Sequence, residues 1–255
     1  MAGTPYFRDN FALEERLSVT GSLDVWVEFP GPDHGSSVLE VQARAGGQVL
    51  PGAGDQIRFF SFRSIVIALG GETNKPADPA PAGQGLFDIA IRLYDRAYDV
   101  HMYDEDYVSP VPLFLGSGRP YDEVVSAVRY REVTQVAIFG YSHGGGKTYW
   151  LANRLTSNAA QIGSFTIPYT AYIDAVATDW FLRETDLPPV PPGSNRQHSN
   201  YYQRHLLLRG DSIPTSVPDR DHSATEVHGT IDDEELVKQG TEGIVVQLVR
   251  KVLPR

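Results

Sequence analysis

The chain has 255 residues, of which 41% are hydrophobic and 21% charged, with a formal net charge of −10 and no cysteine. That is enough apolar material for a sizeable core in one α/β domain. The lack of thiols excludes disulfides, thiolate nucleophiles and Cys-ligated metals, and the acidity, with no cluster of Lys and Arg, argues against nucleic acid, whose phosphates need concentrated positive charge.

No apolar run approaches the roughly 20 residues of a membrane span. The start, "MAGTPYFRDNFALEERLSV", lacks the basic-then-apolar order of a signal peptide. The expectation is a soluble, cytoplasmic protein of undetermined oligomeric state, with a secreted effector or a domain of a larger protein as the alternative.

In chain order, "LSVTGSLDVWVEF" places Leu17, Val19, Leu23, Val25, Val27 and Phe29 at period two, a strand signal. "SSVLEVQARAGGQVL" follows, with Gly46-Gly47 as a hairpin turn. These β-rich residues, 1–58, are expected to form either the antiparallel edge of a larger sheet or a small appended sheet. "FRSIVIALGG" is then an unbroken apolar run ending in glycines, as for a strand buried on both faces. A turn-rich stretch, "ETNKPADPAPAGQG", leads to the helical pattern "LFDIAIRLYDRAY", the strand "DVHMYDED" and the helix "RPYDEVVSAVRY". Next come the strand "TQVAIFGY", the helix "GGGKTYWLANRLTS" and the strand "SFTIPYTAYIDAV". Residues 183–200 read as an irregular Pro- and Gly-rich connection, "RHLLLRG" as a last strand, and "DDEELVKQGTEGIVVQLVRKVL" as the closing helix. Alternating strands and helices predict an α/β fold with a mostly parallel sheet and helices on both faces.

The chemistry concentrates in "VAIFGYSHGGGKTYW", residues 136–150. Its Gly-Lys-Thr tail suggests a phosphate-binding P-loop, but the first glycine should then stand at position 141, which is Tyr141; Gly140 is one residue too far. Gly140-Tyr141-Ser142-His143-Gly144 reads instead as a nucleophile elbow, G-x-S-x-G between a buried strand and a helix. A sharp, strained turn there exposes Ser142 Oγ, and the helix N-terminus offers backbone donors to a developing oxyanion. Lys147 is expected to be a solvated helical charge.

With "IFGYSHGG", the upstream "IVIALGG" and a later Asp and His, the sequence resembles the α/β-hydrolase superfamily, particularly its esterase and lipase-like members. The resemblance covers about residues 60–255, so an α/β-hydrolase catalytic domain is expected over 59–255, with a Pro-rich insertion at about 179–202. It implies a Ser–His–acid hydrolase in the chain order serine, acid, histidine. Of seven histidines, His34 and His101 precede the serine. His228 is the preferred base because "VHGTIDDEEL" is similar to the H-x-x-I-D stretch that superfamily members carry before the terminal helix, with His222 as the alternative. The acid is Asp174, at the end of "TAYID", where a lipase-like subset places it, with Asp211 in "LLLRGD" as the alternative. His143 and Gly71 are the implied backbone oxyanion donors, Gly71 in the place where many members carry His-Gly.

Tyr141, Trp180 and Phe181 are expected at the substrate pocket, the latter two on an insertion that in this fold covers the acyl site. The run Asp104, Glu105, Asp106 reads as a solvated loop, so no metal and no organic cofactor are expected. The expected function is hydrolysis of a small-molecule or lipid-like carboxylic ester, with neither nucleic acid nor a membrane span involved. A non-catalytic binding module of the same fold is the alternative, and a P-loop NTPase a more distant one.

Overall fold

The computed structural model describes residues 7–8, 12–13, 35–45, 48–71, 85–108, 118–176, 190–205 and 210–250. By its contacts the chain divides after Asp33. In the first unit, β1 (Phe7–Arg8) and β2 (Ala12–Leu13) pair antiparallel; the strand expected over 17–29 lies outside the described residues.

In the second unit, β3 (Gly35–Ala45) and β4 (Gln48–Ser61) form an antiparallel pair in which Ala45 faces Gln48. The Gly46-Gly47 turn between them lies outside the described residues. This pair is a two-stranded sheet of its own, not the edge of the larger one. The main sheet contains β5 (Ser64–Gly70), β6 (Val100–Asp104), β7 (Gln135–Tyr141), β8 (Thr166–Ile173), β9 (Ser194–Tyr202) and β10 (Asp219–Asp221). Their order is β10-β9-β8-β7-β5-β6, and every neighbouring pair is parallel. The helices are α1 (Gly85–Asp95), α2 (Arg119–Tyr130), α3 (His143–Ser157), the short α4 (Ala159–Ile162) and α5 (Glu235–Leu248).

The apolar run of β5 explains the layering. Val66 and Ala68 face a core shared with Leu86, Ile89 and Leu93 of α1 and Val237 and Val245 of α5. Ile65, Ile67 and Leu69 face the opposite core, with Val124 and Ala127 of α2 and Leu151 and Leu155 of α3. Each fully buried Leu or Ile contributes roughly 1.5–3 kcal/mol, so a strand apolar on both faces is held by both layers. From β5 the chain moves outward to β6, then crosses back to β7 on the other side of β5. The helices that follow β5 and β7, α1 and α3, therefore pack on opposite faces of the sheet, and it is at such a reversal that open parallel sheets form a binding crevice. Gly71 and Ser142 follow directly on these two strands.

Three local expectations change. Residues 194–202 are a core strand, not the end of an irregular connection, and the described residues of "RHLLLRG" (Arg204, His205, Gly210) are not strand. The strand escapes an apolar-pattern reading because its buried positions include polar side chains anchored by hydrogen bonds: His198 Nδ1 meets Thr170 Oγ1 at 2.8 Å, and Asn200 Nδ2 donates to Asp211 O and Asp219 Oδ1, both at 2.8 Å. Burial pushes the His198 imidazole down to about 3, so it is neutral at physiological pH. Gly144, Gly145 and Gly146 lie within α3, leaving no phosphate-cradling loop there. Lys147 is buried, because the glycine-bearing turn brings the start of α3 down onto the sheet. Among the described residues no helix is long and apolar enough to cross a membrane.

A 3-10 turn over Ile231–Asp233 joins the segment after His228 to this framework. Ile231 enters the core beside α1 and α5, and Asp232 Oδ2 accepts the Leu86 N–H at 3.3 Å, at the N-terminus of α1. Burial pushes the Asp232 carboxyl up to about 6. With a folded value above the unfolded 3.8, its contribution to stability is fully present below about pH 4 and is lost as the pH rises through about 6. Asp232→Asn keeps an acceptor for Leu86 and removes the charge. Urea denaturation is expected to show the variant more stable than wild type above pH 6 by on the order of 2 kcal/mol, with the difference shrinking towards pH 4.

Candidate active site

Ser142 occupies the turn between β7 and α3 with φ 54° and ψ −128°, a conformation that L side chains rarely adopt. Four backbone bonds hold it: its N–H donates to Ile173 O (3.0 Å), and its carbonyl accepts from Gly145 N (2.9 Å), Val176 N (3.0 Å) and Gly146 N (3.4 Å). The flanking glycines are required by contact. A Cβ on Gly140 would lie 2.2 Å from Gly144 O, and one on Gly144 would lie 2.1 Å from Leu69 O, so no side chain fits between the helix start and the sheet.

Ser142 Oγ lies 2.8 Å from His228 Nε2, and His228 Nδ1 lies 2.6 Å from Asp174 Oδ2. An ionised carboxylate can only accept, which places the imidazole proton on Nδ1 and leaves Nε2 to accept the serine O–H. Asp174 follows β8 at φ 44°, and its N–H continues the ladder to Tyr201 O at 2.7 Å. Its carboxylate is fully buried. Besides His228 it accepts from Gln203 Nε2 (2.7 Å), Gln203 N (3.2 Å) and Gly210 N (2.8 Å), which occupies its lone pairs and offsets the cost of burying a charge. Gln203 and Gly210 have no local sequence signature; they matter through contacts made after β9 has returned the chain to β8.

The other sequence-derived candidates are distributed as follows. Asp211 is exposed and pairs with Arg204 at 3.1 Å, whereas the carboxylate that meets His228 is that of Asp174. His222 is buried, and its Nδ1 lies against the carboxylate of Glu234, the residue preceding α5. His143 begins α3, where first-turn N–H groups point out of the helix end. Gly71 packs against the serine so closely that a Cβ on it would lie 2.8 Å from Ser142 Cβ and 3.3 Å from Oγ. Tyr141 is buried beside His228, its hydroxyl donating to the His228 carbonyl and its ring stacked on the imidazole with centroids 5.3 Å apart. Trp180 and Phe181 lie outside the described residues, as does His34. Of the acidic run, Asp104 is buried at the end of β6 and Asp106 is exposed. Among the described residues no three His, Asp or Glu converge in a way that would hold a metal ion.

No protein-family model and no curated protein matches the sequence. Among solved structures, the chain is similar to a protein assigned as a hydrolase of the alpha/beta superfamily from Xanthomonas campestris pv. campestris, at 14% identity over 73% of this chain and 100% of that one, with a TM-score of 0.40. It is also similar to an arylesterase (12% identity, 84% and 85% covered, TM-score 0.38) and to Aspergillus fumigatus lipase B (16% identity, 65% and 43% covered, TM-score 0.30). At such identity and overlap the chemistry rests on this chain's own side chains.

The glycine contacts carry a direct test. In Gly144→Ala the new methyl meets the Leu69 carbonyl, a backbone atom that cannot rotate away. Urea denaturation is expected to show a loss of about 3 kcal/mol; an unchanged midpoint would contradict the packing described.

Proposed function

We propose that the chain is a serine hydrolase of the α/β-hydrolase superfamily that cleaves a carboxylic ester by two-step acyl transfer. The observation that carries this reading is the continuous hydrogen-bonded line from Ser142 Oγ through His228 to the buried Asp174, at 2.8 and 2.6 Å. Nε2 of His228 takes the serine proton as Oγ attacks the ester carbonyl. Asp174 holds the reactive tautomer and stabilises the imidazolium that forms. Charge developing on the carbonyl oxygen is met by the backbone N–H groups of His143 and Gly71. His228 then returns the proton to the departing alcohol, and a water molecule, activated by the same imidazole, releases the acid from Ser142. The scheme needs no metal and no organic cofactor.

For substrate we propose a small ester of neutral or modestly apolar character. The bare glycine at position 71 supports this orientation of the site, since it leaves the space beside Ser142 Oγ to a tetrahedral centre.

Turnover of short p-nitrophenyl esters tests the reading. Ser142→Ala and His228→Ala are expected to lower kcat at least about 10⁴-fold, and Asp174→Asn about 10⁴-fold. Asp211→Ala is expected to stay close to wild type, and His222→Gln to lose far less than His228→Ala. Full turnover by Ser142→Ala would overturn the proposal.

A further inference from the structure

The segment that carries His228 is poorly tied down. Between His222 and Ile231 no residue is buried. Ser223, at its start, is tied to the residues after β9, its Oγ accepting from Arg204 N (2.8 Å) and its carbonyl meeting His205 Nε2 (3.1 Å). Beyond it the backbone–backbone bonds are local: Thr225 and Glu226 N–H donate to His222 O, and Thr230 and Ile231 N–H donate to Val227 O. Its two ends are fixed, one by His222, whose N–H donates to Tyr202 O (2.7 Å) and whose Nδ1 lies against the Glu234 carboxylate, and the other by Ile231 in the core and Asp232 on α1. His228 itself, six residues past His222 and three before Ile231, is located among the described residues by its own side-chain bonds to Asp174 and Ser142 and by Tyr141.

We infer that Tyr141 is a positioning residue for the base, tying the His228 backbone to the strand that presents the nucleophile. This rests on the acyl-transfer reading above. Tyr141 is the last residue of β7 and immediately precedes Ser142. Its hydroxyl donates to the His228 carbonyl, and its ring lies 25° from the plane of the imidazole. Burial pushes the phenol's pKa upward, which keeps it a donor across the working range. The carbonyl bond does not change when the imidazole does. While Nε2 passes from accepting the serine proton to donating it, the backbone beneath stays anchored to the residue next to Oγ. The stacked ring also places a π face beside the imidazolium that acyl transfer generates. A residue expected from sequence at the substrate pocket thus acts through the base.

Tyr141→Phe keeps the ring and removes the O–H. The test measures kcat and KM on a short p-nitrophenyl ester, with reactive serines counted by fluorophosphonate titration so that only folded sites enter. A second readout is the downfield proton NMR signal of His228 Nδ1–H. The expected result is a kcat about 10-fold lower with KM unchanged, and a downfield signal broadened by exchange with water. A wild-type kcat, whether or not KM rises, overturns the assignment; a rise in KM alone would make Tyr141 a pocket wall. If the wild-type chain takes no fluorophosphonate on Ser142, the acyl-transfer reading falls and this assignment with it. A labelled wild type with an unaffected Phe variant removes the assignment alone.

Discussion

The site depends on one close approach, the first turn of α3 against the ends of β5 and β7. With Gly144 seated against the Leu69 carbonyl and Gly140 against the Gly144 carbonyl, the chain has no room for an ordinary strand-to-helix connection. Ser142 takes up the difference at φ 54°, a conformation that costs on the order of 1–3 kcal/mol. The cost is met locally, because sheet bonding continues through the turn: Ser142 donates to Ile173, and Val176 donates back to Ser142. The same packing removes Lys147 and Thr148 from solvent, so the helix start is a rigid platform.

The rest of the sheet serves the carboxylate. Asp174 stands one strand over from the serine and repeats its device, a positive φ at a strand end with the N–H still in the ladder. That ladder partner is Tyr201 of β9, and the two residues that satisfy Asp174, Gln203 and Gly210, come just after β9. β9 is therefore more than an added strand. It closes off a charge that would be costly to bury alone and fixes the oxygen that His228 meets.

The parts of this arrangement that the sequence displays are those with local physical consequences. Apart from Ser64, whose buried hydroxyl donates to the Arg250 carbonyl, "SIVIALG" and "QVAIFGY" are apolar along their buried lengths because each lies between two helical layers, and they mark their strands without ambiguity. The elbow is legible because steric contact fixes glycine at two exact offsets from Ser142. His228 is signalled indirectly: in "HGTID", Ile231 is a core residue and Asp232 caps α1, so the pattern marks how the segment is anchored and not the histidine's chemistry. The illegible parts are satisfied over long range. β9 reads as loop because its buried His198 and Asn200 are polar and bond to residues far along the chain, Thr170 and Asp219. Asp174 and Asp211 look alike as strand-end acids until Gln203 is known to bond one and Arg204 the other. Tyr141 could be placed beside the serine but not under the base, since its partner lies 87 residues away.

The most direct measurement is the site of covalent modification. Incubation with a fluorophosphonate followed by peptide mass spectrometry should find the adduct on Ser142, formed rapidly in the wild-type chain and lost in His228→Ala, since Oγ needs the imidazole to become a nucleophile. An unmodified Ser142, or one that reacts equally well without His228, would contradict the account.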